Sequence, residues 1–443
     1  MADDELFSDL PRHEKTRPIE TGKARLREPV RDQVELRAVD LEGLVAADHP
    51  ARVIWAYVQK LDLSALEKTI GAREHTPGQA PASPRLLLAL WLYAISESIG
   101  SARALARLCE SHDAYRWLCG GVSVNYHGLA DFRTAHPELL DRLLTENIAS
   151  LSVAGVIDLD EVAQDGVRVR ASAGASSFRR SKKLHKELKK AGRLVERLKN
   201  EVDDDPQASN RRIKAALERA AREREVRVTA ALKKLAEIEA ERQRRARTNK
   251  KQVSGQKEPR ASTTDPDTRI MKMADGGFRP AYNCQLATVA GGQIVIMAEA
   301  RTVGSDRGLM RPMLEAVQQR YDRWPKRYLV DGGFNKNEDI EWAASNGVKV
   351  YGPPSRSKHQ RDPFEARAKD GPGVAAWRAR MNSPHGKSVY KRRSRAEWIN
   401  AQLRNRGLYQ FNVRGLEKVT TVLRWLSLSN NILAGHRLIQ AAA

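Results

Sequence analysis

Apolar residues recur at helical spacing along the first third of the chain, up to about Val153. Pro84 begins the most apolar of these segments, and Ser101 can cap the next helix after a short glycine-containing turn, a pairing typical of a helix-turn-helix. Residues 1–35 carry many charges of both signs without such spacing, which predicts a disordered arm. We therefore predict an all-α N-terminal domain over residues 36–153.

Beyond this domain the spacing of apolar residues changes to two, which predicts strands. The first such segment, VIDLDEVAQDGVRVRA, is interpreted as a strand, a turn at Asp165-Gly166 and a second strand. Farther along, AYNCQLATV and QIVIMAEA predict a hairpin, and an apolar strand ending at Val330 and a short strand VKVYG alternate with helical segments. The pattern predicts a mixed five-stranded α/β sheet surrounded by helices, over residues 154–443.

Two stretches interrupt this pattern. Between residues 175 and 260, leucine and alanine recur at spacings of three and four, and DDDP at 203–206 divides the run into two arms. That pattern predicts an antiparallel helical hairpin inserted after the first strand region. The stretch from Pro353 to about Lys387 is rich in charge, glycine and proline, and it predicts a loop.

The net charge of +22 implies an anionic partner, and nucleic acid is the leading candidate for a folded chain that is 41% hydrophobic. Residues 176–260 hold 27 Lys and Arg against 13 Asp and Glu, so the predicted hairpin carries more than half of the surplus. These charges can contact DNA phosphates or only solvate the hairpin. In the N-terminal domain, Arg103 and Arg133 are nominated as DNA contacts, with an ordinary helical bundle as the alternative.

The cysteines and the apolar runs exclude several other classes of protein. Cys109, Cys119 and Cys284 form no CxxC pair, which argues against a zinc site or a disulfide framework and predicts buried thiols in a reducing compartment. The longest apolar run, Leu86–Ile95, is shorter than the ~20 residues that span a bilayer. The acidic N-terminus has no signal-peptide character. We expect a cytoplasmic protein without a membrane partner.

Late in the chain, four residues fall at spacings of three, four and seven, which places them on one face of a predicted helix. They are Tyr390, Arg393, Glu397 and Arg404. A separate apolar stripe contains Ala396, Ile399 and Leu403, and Gly407 is a plausible C-cap. The helix thus presents a carboxylate flanked by cations. Because the stretch is rich in arginine, an ordinary solvated helix face remains the alternative.

Two more acidic residues stand at the ends of predicted strands. Asp165 lies in the first strand region, and Asp331 directly follows the strand that ends at Val330. Catalytic groups in open sheets gather at strand ends, and three converging carboxylates repel one another unless cations neutralise them. Asp165, Asp331 and Glu397 are therefore candidate catalytic residues and ligands of two Mg²⁺ or Mn²⁺ ions about 3.5–4 Å apart. A turn-forming role for Asp165 and a capping role for Asp331 remain open.

Several similar motifs need separate interpretations. A second DGGF occurs at Asp275, where the flanking residues indicate a turn that leads into the hairpin. Asp265 and Asp267, in the loop before it, are second choices for catalytic acids. Neither GxxxxGK nor GxGxxG is present, so no nucleotide cofactor is expected.

Together these motifs resemble the DDE transposases of bacterial insertion sequences, and among them the insertion sequence 1182-like branch of the YREK-signature group. That signature is Tyr, two residues, Arg, three residues, Glu, six residues, Lys. Tyr390, Arg393 and Glu397 match it, and Arg404 stands where the family has lysine. Other similar segments are DHPAR, PRLLLALWLYA, QDGVRVRAS, STTDPDTRIM, GGFRPAYNCQLAT, YLVDGGF, LYQFNVRGLEKV and LRWLSLSNNILAGHRL.

The resemblance implies an RNase H-like catalytic domain that cleaves DNA at the ends of an element in a metal-dependent reaction and then transfers the freed 3′-hydroxyl to target DNA. It implies Asp165, Asp331 and Glu397 as the metal-binding catalytic acids, and Tyr390, Arg393 and Arg404 as DNA contacts. It also implies a homodimer or higher assembly on double-stranded DNA, associated with the nucleoid while bound. Two alternatives stay open: an RNase H-like DNA endonuclease without strand transfer, and a non-catalytic DNA-binding transposase remnant.

Overall fold

The computed structural model describes residues 38, 40–72, 80–204, 211–248, 258–289, 293–355 and 362–442. The chain divides into two units, Met1–Asp40 and Leu41–Ala443, and the fold that follows is that of the second unit. The predicted arm of residues 1–35 lies outside the described residues.

The first part of this unit is helical, as the apolar spacing predicts. Ser101 Oγ accepts a hydrogen bond from the backbone N–H of Ala104 at 3.3 Å, which is the predicted cap. The elements are a 3₁₀ helix Glu42–Leu44 and the helices α1 Pro50–Gln59, α2 Ser64–Glu67, α3 Pro84–Ser96, α4 Ala102–Ser111, α5 Asp113–Cys119, α6 Tyr126–Ala135 and α7 Pro137–Val153.

The rest of the unit contains strands and helices in alternation. The strands are β1 Glu161–Arg170, β2 Phe178–Arg179, β3 Ala261–Ser262, β4 Arg269–Lys272, β5 Phe278–Val289, β6 Val295–Arg301, β7 Arg327–Leu329 and β8 Lys349–Tyr351. The helices are α8 Ser181–Asp204, α9 Arg211–Thr248, α10 Met310–Tyr321, α11 Asn337–Ser345, α12 Pro372–Asn382, α13 Pro384–Lys391, α14 Ser394–Asn405 and α15 Leu416–Ala442, with 3₁₀ turns at Ala175–Ser177 and Gly332–Phe334.

The main sheet is mixed, as predicted. β5 pairs antiparallel with β1 and β6, while β7 pairs parallel with β1 and β8 pairs parallel with β7. The strand order β6-β5-β1-β7-β8 is consistent with an RNase H-like fold. The described residues add a sixth strand to the predicted five, because the turn at Asp275 folds β4 back onto the start of β5. The second DGGF is therefore a turn, as predicted.

β1 runs through the Asp165-Gly166 pair without a turn, so the predicted strand-turn-strand arrangement is wrong. The strand pairs with β5 continuously from Val162 to Arg170. A Cβ at position 166 would lie 2.5 Å from Gln285 Nε2 and 2.6 Å from an oxygen of Asp306. Gly166 thus allows polar side chains to pack closely over the strand, a common reason for glycine within a strand.

The predicted loop from Pro353 to Lys387 contains α12, so this prediction is also wrong in part. Glu341, from α11, accepts hydrogen bonds from the backbone N–H groups of Gly373 and Val374 at 3.0 and 2.9 Å. A side chain distant in sequence therefore satisfies the first N–H groups of this helix. The buried side of α12 contains Val374, Trp377 and Met381.

α8 and α9 pack against each other within the predicted insertion, and the residues that connect them, 205–210, lie outside the described residues. The buried side chains between them are Leu184, Val195, Leu198, Ala221, Val228, Ala231 and Leu235. Lysines line the exposed surface of the first half of α8, namely Lys182, Lys183, Lys186, Lys189 and Lys190.

The N-terminal helices share one hydrophobic cluster with residues of β1, β5 and β6, and a second cluster contains the buried residues of β7 and β8. α15 packs against α3, α7 and β6, and Ser429 Oγ of α15 donates a hydrogen bond to the carbonyl of Leu92 in α3 at 2.7 Å. The predicted division at residue 153 stays a prediction, since both parts lie in one compact unit. The three cysteines are buried free thiols, as predicted. Among the described residues, no helix has both the length and the apolarity to cross a membrane.

Candidate active site

The residues of the predicted helix face lie on two helices rather than one. α13 ends at Lys391 and α14 begins at Ser394. Between them, the N–H of Arg393 donates to the carbonyl of Tyr390, three residues back, at 2.9 Å, so the backbone tightens for one turn. Arg393 nevertheless forms an ion pair with Glu397, and its Cζ lies 5.8 Å from the ring centroid of Tyr390. The prediction of a single helix is therefore wrong, but the side chains of Tyr390, Arg393 and Glu397 do lie next to one another.

The opposite side of α14 packs into the core. Ala396, Ile399 and Leu403 are buried, which agrees with the predicted apolar stripe. Gly407 has a φ of +95°, and the N–H of Leu408 donates to the carbonyl of Leu403 at 2.9 Å. This is the geometry of a Schellman C-cap, which glycine favours, and it holds the end of the helix in place.

Asp165 projects from β1 toward α14, and only 18% of its side chain is exposed. Asn400 Nδ2 donates a hydrogen bond to its Oδ2 at 2.7 Å, and an Nη1 of Arg393 lies 3.7 Å from its Oδ1. Burial raises the pKa of Asp165, Arg393 opposes this effect, and the charges of Glu397 and Asp331 raise the pKa further. The three predicted acids therefore lie within electrostatic reach of one another.

Asp331 directly follows the strand next to β1. Ala163 of β1 pairs with Leu329 of β7 in parallel, so Asp165 and Asp331 each lie two residues beyond this pair, at the same end of the sheet. The side chain of Asp331 is exposed, and its Oδ1 accepts the N–H of Gly332 at 2.6 Å. Asp331 thus has the capping role that the sequence left open. Capping uses one carboxylate oxygen, so it is compatible with metal binding through the other.

Arg393 lies between the acidic side chains. Only 13% of its side chain is exposed, and its guanidinium approaches both Asp165 and Glu397. Burial lowers the pKa of Arg393, but Tyr390 and the nearby carboxylates outweigh this effect and raise it. Burial also raises the pKa of Tyr390, so the neighbouring phenol remains neutral. Arg393 is thus an internal counter-ion to two of the acids.

A cleft of about 350 Å³ opens between β1 and α14. Asp165, Glu397, Asn400 and Arg404 line it, whereas Asp331 lies outside the lining at the end of the next strand. Arg404 is exposed, and it forms no ion pair with any residue in the described part of the chain. An unpaired guanidinium beside such a cleft is suited to bind a phosphate group.

Asn400 is a site residue that the sequence pattern does not single out. It lies three residues after Glu397 on α14, and only 8% of it is exposed. Its Nδ2 binds Asp165, while its Oδ1 is buried without a hydrogen-bond partner among the described residues. The signal in the sequence is weak: a polar residue adjacent to the apolar stripe, at helical spacing from Glu397.

The two arginines nominated in the N-terminal helices differ in exposure. Arg103 is exposed, with its Cζ 5.0 Å from the ring centroid of Tyr126. Arg133 is buried, and its Nη1 donates to the carbonyl of Gly100 at 2.5 Å while its Cζ lies 4.9 Å from the ring of Trp91. Burial lowers the pKa of Arg133 to about 10. Arg133 is therefore a core residue rather than the accessible DNA contact that the sequence suggests.

Asp265 and Asp267, the second choices for catalytic acids, have structural roles. Tyr282 Oη lies 2.8 Å from both carboxylate oxygens of Asp265 and donates to them. The backbone N–H groups of Gly415 and Leu416, where α15 begins, donate to Asp265 at 3.2 Å and to Asp267 at 3.0 Å. The two carboxylates thus cap α15, where negative charge is stabilising.

The donor atoms around the cleft fit Mg²⁺ or Mn²⁺ in kind. Carboxylates and the unpartnered amide oxygen of Asn400 are hard oxygen donors, which these ions prefer. Within the described residues, however, no three His, Cys, Asp or Glu side chains are close enough to hold a metal ion as they stand. Arg393 approaches both Asp165 and Glu397, so a guanidinium, and not a metal ion, neutralises these two carboxylates in the protein alone.

Comparison with known protein families gives two matches. Residues 39–135 match the family described as Transposase domain (DUF772), and residues 245–432 match the family described as Transposase DDE domain. The second match includes Asp331 and Glu397, while Asp165 precedes it. No curated protein and no solved structure matches the chain. The two family matches support a DDE transposase.

Proposed function

We propose that this chain is an insertion-sequence transposase that cleaves DNA at the element's ends and transfers the freed 3′-hydroxyl to target DNA. The observation that carries the proposal is the arrangement of the acids: Asp165 and Glu397 line one cleft, and Asp331 leaves the adjacent parallel strand at the same end of the sheet. The match to a transposase DDE domain supports the same reaction class. The insertion sequence 1182-like branch remains part of this proposal.

The three acids would hold Mg²⁺ or Mn²⁺, which DDE transposases generally use. Two such ions, when bound, stabilise charge on the attacking and leaving oxygens of a phosphodiester. The raised pKa of Asp165 reflects burial and the neighbouring carboxylates, the kind of electrostatic cost that a divalent cation relieves. The donor set therefore fits such a cation.

The cations of the site would hold the DNA. Arg404, exposed at the edge of the cleft, and Arg393 can each donate two hydrogen bonds to phosphate oxygens. In the protein alone Arg393 pairs with Glu397, and a DNA phosphate competes with that carboxylate for the same guanidinium. DNA binding would thus release Glu397 for its catalytic role. Tyr390, packed beside Arg393, would contact the DNA backbone.

The partner in this proposal is double-stranded DNA, both the terminal inverted repeats and the target. The exposed lysines of α8 and the exposed Arg103 supply positive charge outside the cleft. We further propose a homodimer or higher assembly, because two ends must be processed together, and a cytoplasmic location with nucleoid association on DNA.

The test uses the complete protein on DNA that carries the sequences flanking its own gene, with Mg²⁺, Mn²⁺ or EDTA. We expect metal-dependent cleavage at the ends and strand-transfer products from a pre-cleaved end with a free 3′-hydroxyl. Cleavage without strand transfer would instead identify an RNase H-like endonuclease. Salt-sensitive DNA binding without cleavage in either metal would identify a non-catalytic remnant. Either outcome overturns the proposal.

A further inference from the structure

We propose that Asn400 is a positioning residue of the active-site cleft. Its amide nitrogen orients the Asp165 carboxylate, and its amide oxygen contributes a neutral donor to the coordination shell of the divalent ion that Asp165 holds. This inference rests on the proposed function, and it assigns a role to a residue outside the predicted acidic set. Through its hydrogen bond to Asp165, Asn400 also connects β1 to α14, the two elements that carry Asp165 and Glu397.

The amide nitrogen of Asn400 is hydrogen-bonded to Asp165. Asn400 Nδ2 lies 2.7 Å from Asp165 Oδ2, and the N–H of Gly166 donates to Asp165 Oδ1 at 3.0 Å. Both carboxylate oxygens therefore have a donor, one from the helix and one from the strand's own backbone. Two donors on different oxygens restrict rotation of the carboxylate, so the Asn400 contact fixes its orientation relative to α14.

The amide oxygen of Asn400 is the atom that can contact a bound ion. Asn400 Oδ1 is buried and has no hydrogen-bond partner among the described residues, although it belongs to a side chain that lines the cleft. A buried acceptor without a partner is costly, and proteins rarely leave one unsatisfied. A water molecule, another hydrogen-bond donor or a cation can satisfy such an oxygen. A DNA phosphate cannot, because it is itself an acceptor, whereas a divalent ion or its bound water can.

The side chain of Asn400 is neutral, which matters because it lies against a carboxylate. A fourth carboxylate at this position would repel Asp165, only 18% of whose side chain is exposed. An amide avoids that repulsion and can donate to Asp165 while it accepts from the ion's shell. Among neutral side chains of this size, an amide has both functions in a fixed geometry.

The test compares Asn400→Leu and Asn400→Asp with a control on the same helix. Leucine matches the size of asparagine and follows the apolar stripe of Ile399 and Leu403, but it neither donates nor accepts. Aspartate keeps an oxygen and loses the donor. The control is Gln402→Leu, because Gln402 Oε1 is also buried without a partner among the described residues, yet Gln402 does not line the cleft.

Mn²⁺ binding is measured by electron paramagnetic resonance on the complex with a DNA duplex, and cleavage is measured against metal concentration. For Asn400→Leu we expect the half-saturating Mn²⁺ concentration to rise about 10–100-fold, the usual effect of removing such a supporting group. Metal-free DNA binding and the midpoint of thermal unfolding should stay at wild-type values. For Asn400→Asp we expect Mn²⁺ binding within a few-fold of wild type but slower cleavage at saturating metal, since Asp165 no longer has its donor.

Wild-type half-saturation and wild-type cleavage in Asn400→Leu would overturn the inference, as would an equal shift in Gln402→Leu. If Asn400→Leu does not fold, wild-type cleavage by Asn400→Asp at saturating metal overturns it. Failure of the proposed function has a different result: wild-type protein that binds Mn²⁺ in an Asn400-dependent way but forms no strand-transfer product. The metal readout thus tests Asn400 separately from the transposase reaction.

Discussion

Among single residues, one largely shielded cation, Arg393, lies beside Asp165 and Glu397, and one exposed cation, Arg404, lines the cleft. Arg393 is shielded and already pairs with Glu397, so its availability to DNA depends on that carboxylate. Arg404 is exposed at the edge of the cleft, without an ion pair to any residue that the structure describes. Arg404 should therefore affect DNA binding directly, while Arg393 should affect binding and the acidic site together.

We predict that Arg404→Ala weakens binding to DNA ends about tenfold at low salt and reduces the dependence of log K on log salt by roughly one phosphate contact. Arg404→Lys should keep most of the affinity, because a lysine at this position still reaches a phosphate as a point charge. Binding titrations over a range of salt concentrations test both variants. Equal affinity and equal salt dependence for Arg404→Ala and wild type would remove Arg404 from the interface.

The residues of the site can be predicted only in part from the sequence. Asp165, Asp331 and Glu397 are identifiable because two of them lie in or directly after predicted strands and the third belongs to the recognisable spacing of the late helix. Asn400 is not, since its role depends on a contact with a strand 235 positions away. Arg133 is less accessible than the sequence suggests, because it packs against Trp91, a contact that helical spacing alone does not show.

Among the helices and strands, those with a regular apolar spacing form where the sequence predicts them. The elements that differ from the prediction have a common physical cause. α3, β5 and β6 form where the pattern predicts them. By contrast, β1 continues through an Asp-Gly pair because side chains from other elements pack over the glycine, and α12 begins where Glu341 caps it. Tertiary contacts determine the course of β1 and the start of α12, and these contacts cannot be predicted from local propensity.

Gly166→Ala tests the packing over β1. Its Cβ would meet Gln285 Nε2 at 2.5 Å and Asp306 Oδ1 at 2.6 Å, within a buried hydrogen-bonded group. We expect the free energy of unfolding to fall by about 1–3 kcal/mol, the usual cost of overpacking, measured by denaturant titration. Gly71→Ala is the control, because no atom of the described residues lies within 4 Å of a Cβ there. Equal stability of the two variants would contradict this account of the strand.

For the molecule as a whole, the uneven distribution of charge is the feature most relevant to DNA binding. The net charge of +22 is concentrated in the segment that contains α8 and α9, while the cleft itself is acidic. α14 and the N-terminal helices contribute to the same hydrophobic cluster, so both are held in one compact unit. A basic surface attached to this unit can direct DNA toward an acidic site that would otherwise repel it.

The double variant Lys182→Gln, Lys186→Gln tests whether α8 binds DNA. Both lysines are exposed, and for each phosphate that the protein no longer neutralises, the salt dependence of log K should fall by about 0.9. The control removes two exposed lysines from the sheet region, Lys272→Gln and Lys349→Gln. If both double variants bind DNA with the same affinity and the same salt dependence, the charges of α8 only solvate the hairpin.

The most direct measurement is cleavage of the flanking DNA in Mg²⁺ and in Mn²⁺ by three variants, Asp165→Asn, Asp331→Asn and Glu397→Gln, with DNA binding measured alongside. Each substitution removes one charged ligand of the proposed site. We therefore expect each to lower the cleavage rate at least about 1,000-fold, equivalent to roughly 4 kcal/mol of transition-state stabilisation, while DNA ends still bind. Cleavage at the wild-type rate by any one of the three would contradict the assignment of these acids as one catalytic set.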